Sequence, residues 1–447
     1  PMGNRRIFIV GAGEVGYHIA HSLVREGHDL VVIDSDAGRV ASLQRSLDLL
    51  AVQGDGTDPQ LLEEHGVEGA KRFFAVTNSD AVNVLAALTA RRLGAGRCLV
   101  RVGFSSARIN PLVDDDPQIQ LINPEELVAK ELLALTQIPG ASRVHFFEQD
   151  RLVLIHAKPA PTATHLFERP LRELDWPGGW VLTGVVPGSR IEIPSGDTVI
   201  RRNQSVYAVG RRDQLEAFES YLGIEIKSTR RVVIAGAGQV GTSLCSLLVK
   251  EGISVTVVER DPARAFALAA AVPEAVVLQG DATDPVLLRE ADVDNTDFFV
   301  AATQDDMTNV LSSLLARELG AHTEVALYNR QEFLHVMQAS GIDLPLSPRT
   351  MIAGTILRTV HRREILSLDL VGAGDAEVVD FEVPNKAHVL KGPLKDLSFP
   401  NSVIGAVVRE DEIVIPGGEF RFAPGDHVLV FTLTKALSYL EKQFKRR

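Results

Sequence analysis

Short apolar runs recur along the chain, separated by longer stretches whose apolar positions fall three and four residues apart. In the first third, the runs at 6–10, 29–33, 72–76 and 98–102 read as strands, and the segments 15–26, 37–46, 80–93 and 124–137 as helices. Strand alternating with helix predicts a parallel sheet wound on both faces. Beyond residue 140 the rhythm changes. Apolar runs crowd together between turn signals such as Pro177-Gly178-Gly179, Pro187-Gly188 and Pro424-Gly425-Asp426. These stretches read as strand-rich modules, closing on short helices near 213–222 and 434–444.

The pattern occurs twice. Arg6 to Gly16 reads Arg-Ile-Phe-Ile-Val-Gly-Ala-Gly-Glu-Val-Gly, and Arg231 to Gly241 reads Arg-Val-Val-Ile-Ala-Gly-Ala-Gly-Gln-Val-Gly, an offset of 225. The offset holds through Asp34 against Glu259. After one inserted residue it becomes 226, aligning Gly54-Asp55 with Gly280-Asp281, Thr77 with Thr303 and Asn83 with Asn309. A second likeness pairs Ile191-Glu192-Ile193-Pro194 with Ile413-Val414-Ile415-Pro416 in the strand-rich parts. The chain is therefore two copies of a two-part unit.

Composition narrows what such a chain does. At 447 residues, 45% hydrophobic and 23% charged, it has material for several packed cores. A net charge of -12 argues against a surface that tracks nucleic-acid phosphates. No run approaches the roughly 20 apolar residues of a membrane-spanning helix. The short apolar start, broken by glycines, does not read as a secretory signal. Only Cys98 and Cys245 are present, which suits a reducing compartment and buried structural thiols. A cytoplasmic protein is expected.

Chemistry concentrates at the glycines. Gly11, Gly13 and Gly16 follow an apolar strand, open a helix and precede an acidic residue, Asp34, at the end of the next strand. In a dinucleotide site the first glycine permits the turn, the second lets a pyrophosphate approach and the third lets helix and strand pack. The helix N-terminus attracts the phosphates. Asp34 is placed to accept ribose hydroxyls, which disfavours the 2′-phosphate of NADP. Gly236, Gly238, Gly241 and Glu259 repeat the arrangement. Two roles fit Asp55 and Asp281: reaching an adenine edge, or capping the next helix, for which Thr57 and Asp58 compete. Thr77-Asn78 and Thr303-Gln304 lie where the fourth strand ends, at the sheet edge that holds ligands in open parallel sheets. His145, His156 and His165 are scattered and read as core or surface residues; neither a metal site nor a catalytic pairing is expected.

The ordered set of motifs resembles the RCK (regulator of potassium conductance) family, in the tandem form of the cytosolic regulatory subunits of bacterial Trk potassium-uptake systems. The likeness rests on the two Gly-Ala-Gly-x-Val-Gly turns, Gly280-Asp281-Ala282-Thr283-Asp284, Val76-Thr77-Asn78-Ser79-Asp80 with Asn83, and Asn123-Pro124-Glu125-Glu126-Leu127-Val128. Pro139-Gly140-Ala141, His361-Arg362-Arg363 and Ile404-Gly405-Ala406-Val407-Val408-Arg409 complete it. The resemblance implies an α/β fold with Rossmann-like RCK N-terminal domains at 3–140 and 230–366. Each is followed by a small α/β RCK C-terminal domain, at 141–225 and 367–447. It further implies a homotetramer whose eight Rossmann domains form a gating ring. That ring would lie on the inner face of the cell membrane, under a TrkH- or TrkG-like potassium-conducting subunit, and bind NAD(H), ATP and ADP.

Carried onto this sequence, the first site comprises Gly11, Ala12, Gly13, Glu14, Val15, Gly16, Asp34, Asp55, Thr77, Asn78 and Arg101. The second comprises Gly236, Ala237, Gly238, Gln239, Val240, Gly241, Glu259, Asp281 and Thr303. Arg101 resembles the family's phosphate-facing arginine. Its counterpart by offset is Leu327, with Arg330 nearby, so the two sites are expected to differ in ligand preference. The competing reading, an NAD-dependent oxidoreductase, shares the glycine fingerprint but needs a substrate domain with an acid-base group. The module that follows each Rossmann-like part is short and strand-rich, which favours a regulator over an enzyme.

Overall fold

The first apolar run folds as β1 (Ile7–Val10), buried throughout, and turns through the glycines into α1 (Glu14–Arg25). The computed structural model describes residues 6–25, 27–103, 116–138, 140–188, 190–224, 229–349, 351, 365–371 and 376–444. Pro139 and His361-Arg362-Arg363 lie outside them. Next come β2 (Leu30–Asp34), α2 (Ala37–Ser46), β3 (Leu50–Gln53), α3 (Pro59–Glu64), β4 (Arg72–Ala75), α4 (Asp80–Arg92), β5 (Arg97–Arg101), β6 (Ile119–Ile122) and α5 (Pro124–Gln137). The strands are all parallel, in the order β3-β2-β1-β4-β5-β6. After β3 the chain returns to the other side of β1, so the sheet opens a crevice between the carboxyl ends of β1 and β4.

Both faces of this sheet are covered, which is why its strands read as unbroken apolar runs. Along β1 the side chains alternate: Ile7 and Ile9 pack with Ile19 and Leu23 of α1, whereas Phe8 and Val10 pack with Ala86, Ala87 and Ala90 of α4. Side-chain caps start the helices. Asp36, Asp58, Ser79 and Asn123 each accept a backbone N–H of the following first turn.

A smaller antiparallel sheet follows, made of β7 (Ala141–Phe147), β8 (Leu152–Ala157), β9 (Trp180–Val186) and β10 (Ser205–Arg211) in the order β7-β8-β10-β9, with α6 (Leu215–Tyr221). The second copy repeats the large sheet. Its elements are β11 (Arg231–Ala235), α7 (Gln239–Lys250), β12 (Ser254–Glu259), α8 (Pro262–Ala271), β13 (Val276–Gln279), α9 (Pro285–Glu290), β14 (Phe298–Ala301), α10 (Asp306–Leu319), β15 (Glu324–Leu327), α11 (Gln331–Ala339) and β16 (Leu344–Leu346), ordered β13-β12-β11-β14-β15-β16. Its small sheet has β17 (Ile365–Val371), β18 (Ala376–Glu382), β19 (Ser402–Arg409), β20 (Glu412–Val414) and β21 (His427–Leu433), closed by α12 (Leu437–Phe444). β17 starts at Ile365, so the expected domain start at 367 falls inside this strand.

The two units join through their cores. Helix α5 of the first copy packs on α7 of the second, and the Thr229 hydroxyl donates to the Thr136 carbonyl at 2.6 Å. The small sheets meet face to face. Val206 and Ala208 of β10 point into their own module, while Tyr207 and Val209 meet Val378, Ala406 and Phe431 of the other. The alternation of one apolar strand thus builds an intramodular core on one side and an intermodular one on the other. Both cysteines are buried, and burial pushes the thiols up, Cys98 to about 12 and Cys245 to about 11.

Candidate functional site

At the crevice, the glycine-rich turn leaves β1 through Gly11, whose φ of +105° favours glycine; Gly236 repeats it at +106°. A Cβ on Gly16 would lie 1.8 Å from the Gly11 carbonyl oxygen, and one on Gly241 2.0 Å from that of Gly236. Helix and turn pack this closely only without a side chain. Gly13 and Gly238 differ: a Cβ there would meet nothing within 4 Å. Packing does not require glycine at this second position, and its bare backbone leaves an open approach to the start of the helix. No side chain caps α7 at Gly238, so first-turn N–H groups remain available to an anion.

Each acidic residue holds this turn in place. Asp34 accepts the Ala12 N–H on Oδ2 at 2.6 Å and the Asp36 N–H on Oδ1 at 2.8 Å, with the Arg39 guanidinium 3.7 Å away. Glu259 accepts the Ala237 N–H at 2.6 Å and the Asp261 N–H at 2.7 Å. A carboxylate offers about four acceptor directions, so each retains lone pairs for ribose hydroxyls.

Across the crevice, Asn83 saturates its side chain. It accepts the Thr77 N–H at 2.8 Å and the Thr77 hydroxyl at 2.7 Å, and donates to the carbonyls of Thr77 at 3.0 Å and Arg101 at 2.9 Å. Asn309 makes the same four bonds to Thr303 and Leu327. Asn83 marked the family resemblance but was not among the expected site residues, although it fixes two of them. Arg101 donates to Asn78 Oδ1 at 3.3 Å and lies 3.6 Å from Glu125 at the start of α5. In the second copy the corresponding Leu327 is buried, while Arg330 is exposed, 3.7 Å from Asp306 and stacked over Phe333. The first crevice therefore has a braced cation at its edge, and the second has an outward one.

Of the two roles open to Asp55, helix capping belongs to its neighbour. Asp58 Oδ1 accepts the Gln60 N–H of α3, while Asp55 accepts the N–H and hydroxyl of Thr57. Asp281 does the same with Thr283, and these bonds hold its carboxyl below the usual range. Glu14 forms an ion pair with Arg349, a residue 335 positions away that no local spacing would connect to it. His156 lies between the hydroxyls of Ser142 and Ser205 at 2.6 and 2.7 Å and stacks on Tyr207; burial pushes it down to about 3. It is a neutral structural group.

The comparisons with known proteins agree with this architecture. A protein of Archaeoglobus fulgidus named Trk system potassium uptake protein TrkA homolog is 34% identical over 444 residues, covering 98% of this chain and all of that one. TrkA homolog 1 of Methanosarcina mazei is 32% identical over 448 residues, covering 98% and 99%. Among solved structures, the GsuK channel bound to NAD superposes with a TM-score of 0.63 at 19% identity, covering 99% of this chain and 80% of that one. The TrkA-N domain matches residues 7–107 and 232–348 and the TrkA-C domain residues 160–223 and 378–445, so the chain belongs to the TrkA family, as two tandem N-plus-C units.

Proposed function

We propose that this chain is a cytosolic, non-enzymatic regulatory subunit of a potassium-uptake system, binding NAD(H), ATP or ADP at its two glycine-rich turns. Its ring would lie against a TrkH- or TrkG-type conducting subunit at the inner face of the membrane. The observation that carries the reading is the open approach at Gly13 and Gly238, with no side-chain cap at Gly238 and a carboxylate with spare acceptor capacity beside each turn. The names of the relatives supply potassium uptake, and the NAD bound to the GsuK channel supports the ligand class.

Self-association is favoured by apolar side chains left in solvent: Leu85 on α4 and its repeat counterpart Leu311 on α10, with Leu88 and Met307 also exposed on the same two helices. Two such units per chain suit a four-chain ring. Nucleotides that contact two ring conformations unequally shift their populations by that difference, typically about 1–3 kcal/mol per coupled site.

The test is calorimetric titration of the full chain with NADH and ATP, comparing wild type with Gly13→Ala and Gly238→Ala. Each added methyl enters open space, so the unliganded melting temperature stays unchanged while affinity at the altered turn falls about tenfold, roughly 1.4 kcal/mol. Undiminished binding in both variants would refute the assignment of the turns.

A further inference from the structure

Arg349 belongs to the second half of the chain, yet its guanidinium is paired with Glu14, the first residue of α1 and part of the first glycine-rich turn. It follows β16 directly, after Ser347 and Pro348, and the Met351 N–H already bonds back to the Ser347 carbonyl. The same place in the first half, after β6, holds Asn123, Pro124 and then Glu125. The repeat has thus placed opposite charges at equivalent positions. Glu125 stays within its own unit, beside Arg101. Arg349 crosses to the other unit, and the partner position of Glu14 is a neutral residue, Gln239, in the second turn.

This asymmetry has an electrostatic consequence. A polyphosphate at the start of α1 would meet the helix N-terminus, which attracts it, and the Glu14 carboxylate, which repels it. The Arg349 side chain is 28% exposed and that of Glu14 58%, so their bond lies in partly solvated surroundings where a single ion pair adds little stability and exchanges readily. A phosphate fits the guanidinium fork as a carboxylate does and carries more negative charge in a polyphosphate, so it competes with the exposed Glu14 carboxylate for Arg349.

We infer that Arg349 is a phosphate-reading residue of the first nucleotide site, supplied by the other unit, which exchanges Glu14 for ligand phosphate when a polyphosphate nucleotide binds. The inference rests on the first glycine-rich turn being a nucleotide site. It makes that site a composite of both halves, so ligand charge at one turn acts directly on the strand edge and helix start of the other Rossmann-like unit.

The experiment uses the full chain with the second turn weakened by Gly238→Ala, titrated with AMP, ADP, ATP and NADH at two salt concentrations and fitted to two sites. Arg349→Gln is expected to lower ATP affinity about tenfold and AMP affinity less than about twofold, with a shallower salt dependence. Glu14→Gln is expected to raise ATP affinity, and Arg349→Lys to restore part of the loss. Thermal melts of the unliganded variants confirm that each folds. Equal AMP, ADP and ATP affinities in wild type and Arg349→Gln, with Gly13→Ala still weakening binding, would overturn the inference while leaving the site intact. Binding insensitive to Gly13→Ala as well would mean that the turn itself is not the nucleotide site.

Discussion

Asp34 and Ala12 are joined by a 2.6 Å hydrogen bond from backbone N–H to carboxylate, and Glu259 and Ala237 by one of the same length, although the two acidic side chains differ by a methylene. The residue proposed to accept a ribose therefore also fixes the glycine turn. Asp34→Ala should destabilise the unliganded protein by about 1–3 kcal/mol, because the Ala12 and Asp36 N–H groups lose a charged acceptor. Urea unfolding without nucleotide checks this. An unchanged midpoint would mean that the bond contributes only in the liganded state.

The Asn83 amide holds Thr77 beside the end of β5 with four hydrogen bonds in a fully buried position. Asn83→Leu, with the same branching, removes all four and leaves two carbonyls, one N–H and one hydroxyl without this partner. A cost of about 2–4 kcal/mol is expected, with loss of binding at the first turn only. Asn309→Leu should mirror it at the second. Chemical-shift changes confined to one half would confirm that each asparagine serves its own crevice.

Much of this was legible in the sequence because the period of the apolar residues matches the burial. β1, β2, β4 and β5 are buried on both faces, and α1, α2, α4 and α5 lie within one or two residues of their expected spans. β6 and β16 went unread: Ile119–Ile122 is four residues behind a polar run, and Leu344–Leu346 carries Pro345, which only an edge strand tolerates. The glycines and acidic residues announced the candidate site because their roles are local. The brace between Arg101 and Glu125 and the pair of Glu14 with Arg349 depend on tertiary packing, which no spacing encodes.

The exposed stripe on α4 and its counterpart on α10 supply a third expectation. Leu85 is 53% exposed and Leu311 49%, and they occupy the same place in the repeat. Leu85→Asp together with Leu311→Asp removes apolar area from any interface built on these helices and adds charges whose burial is costly. Light scattering should show the mass falling toward that of one or two chains, while the melting temperature holds because neither leucine is in a core. Unchanged mass would place assembly elsewhere on the surface.

A fourth expectation concerns pH. Glu219 on α6 is 4% exposed; burial, with a smaller contribution from Glu216, pushes its carboxyl up from 4.5 to about 7. The folded state thus holds this proton more tightly than the unfolded chain. The advantage is present below pH 4.5, declines as the pH rises toward 7 and is gone above it. Glu219→Gln keeps the shape and removes the charge, so it should raise stability at pH 8 by roughly 2–3 kcal/mol and do little at pH 4.5. Thermal unfolding of both proteins across this range checks the sign. A gain that does not grow with pH would show that Glu219 stays ionised in the fold, and that its position beneath α6 is hydrated.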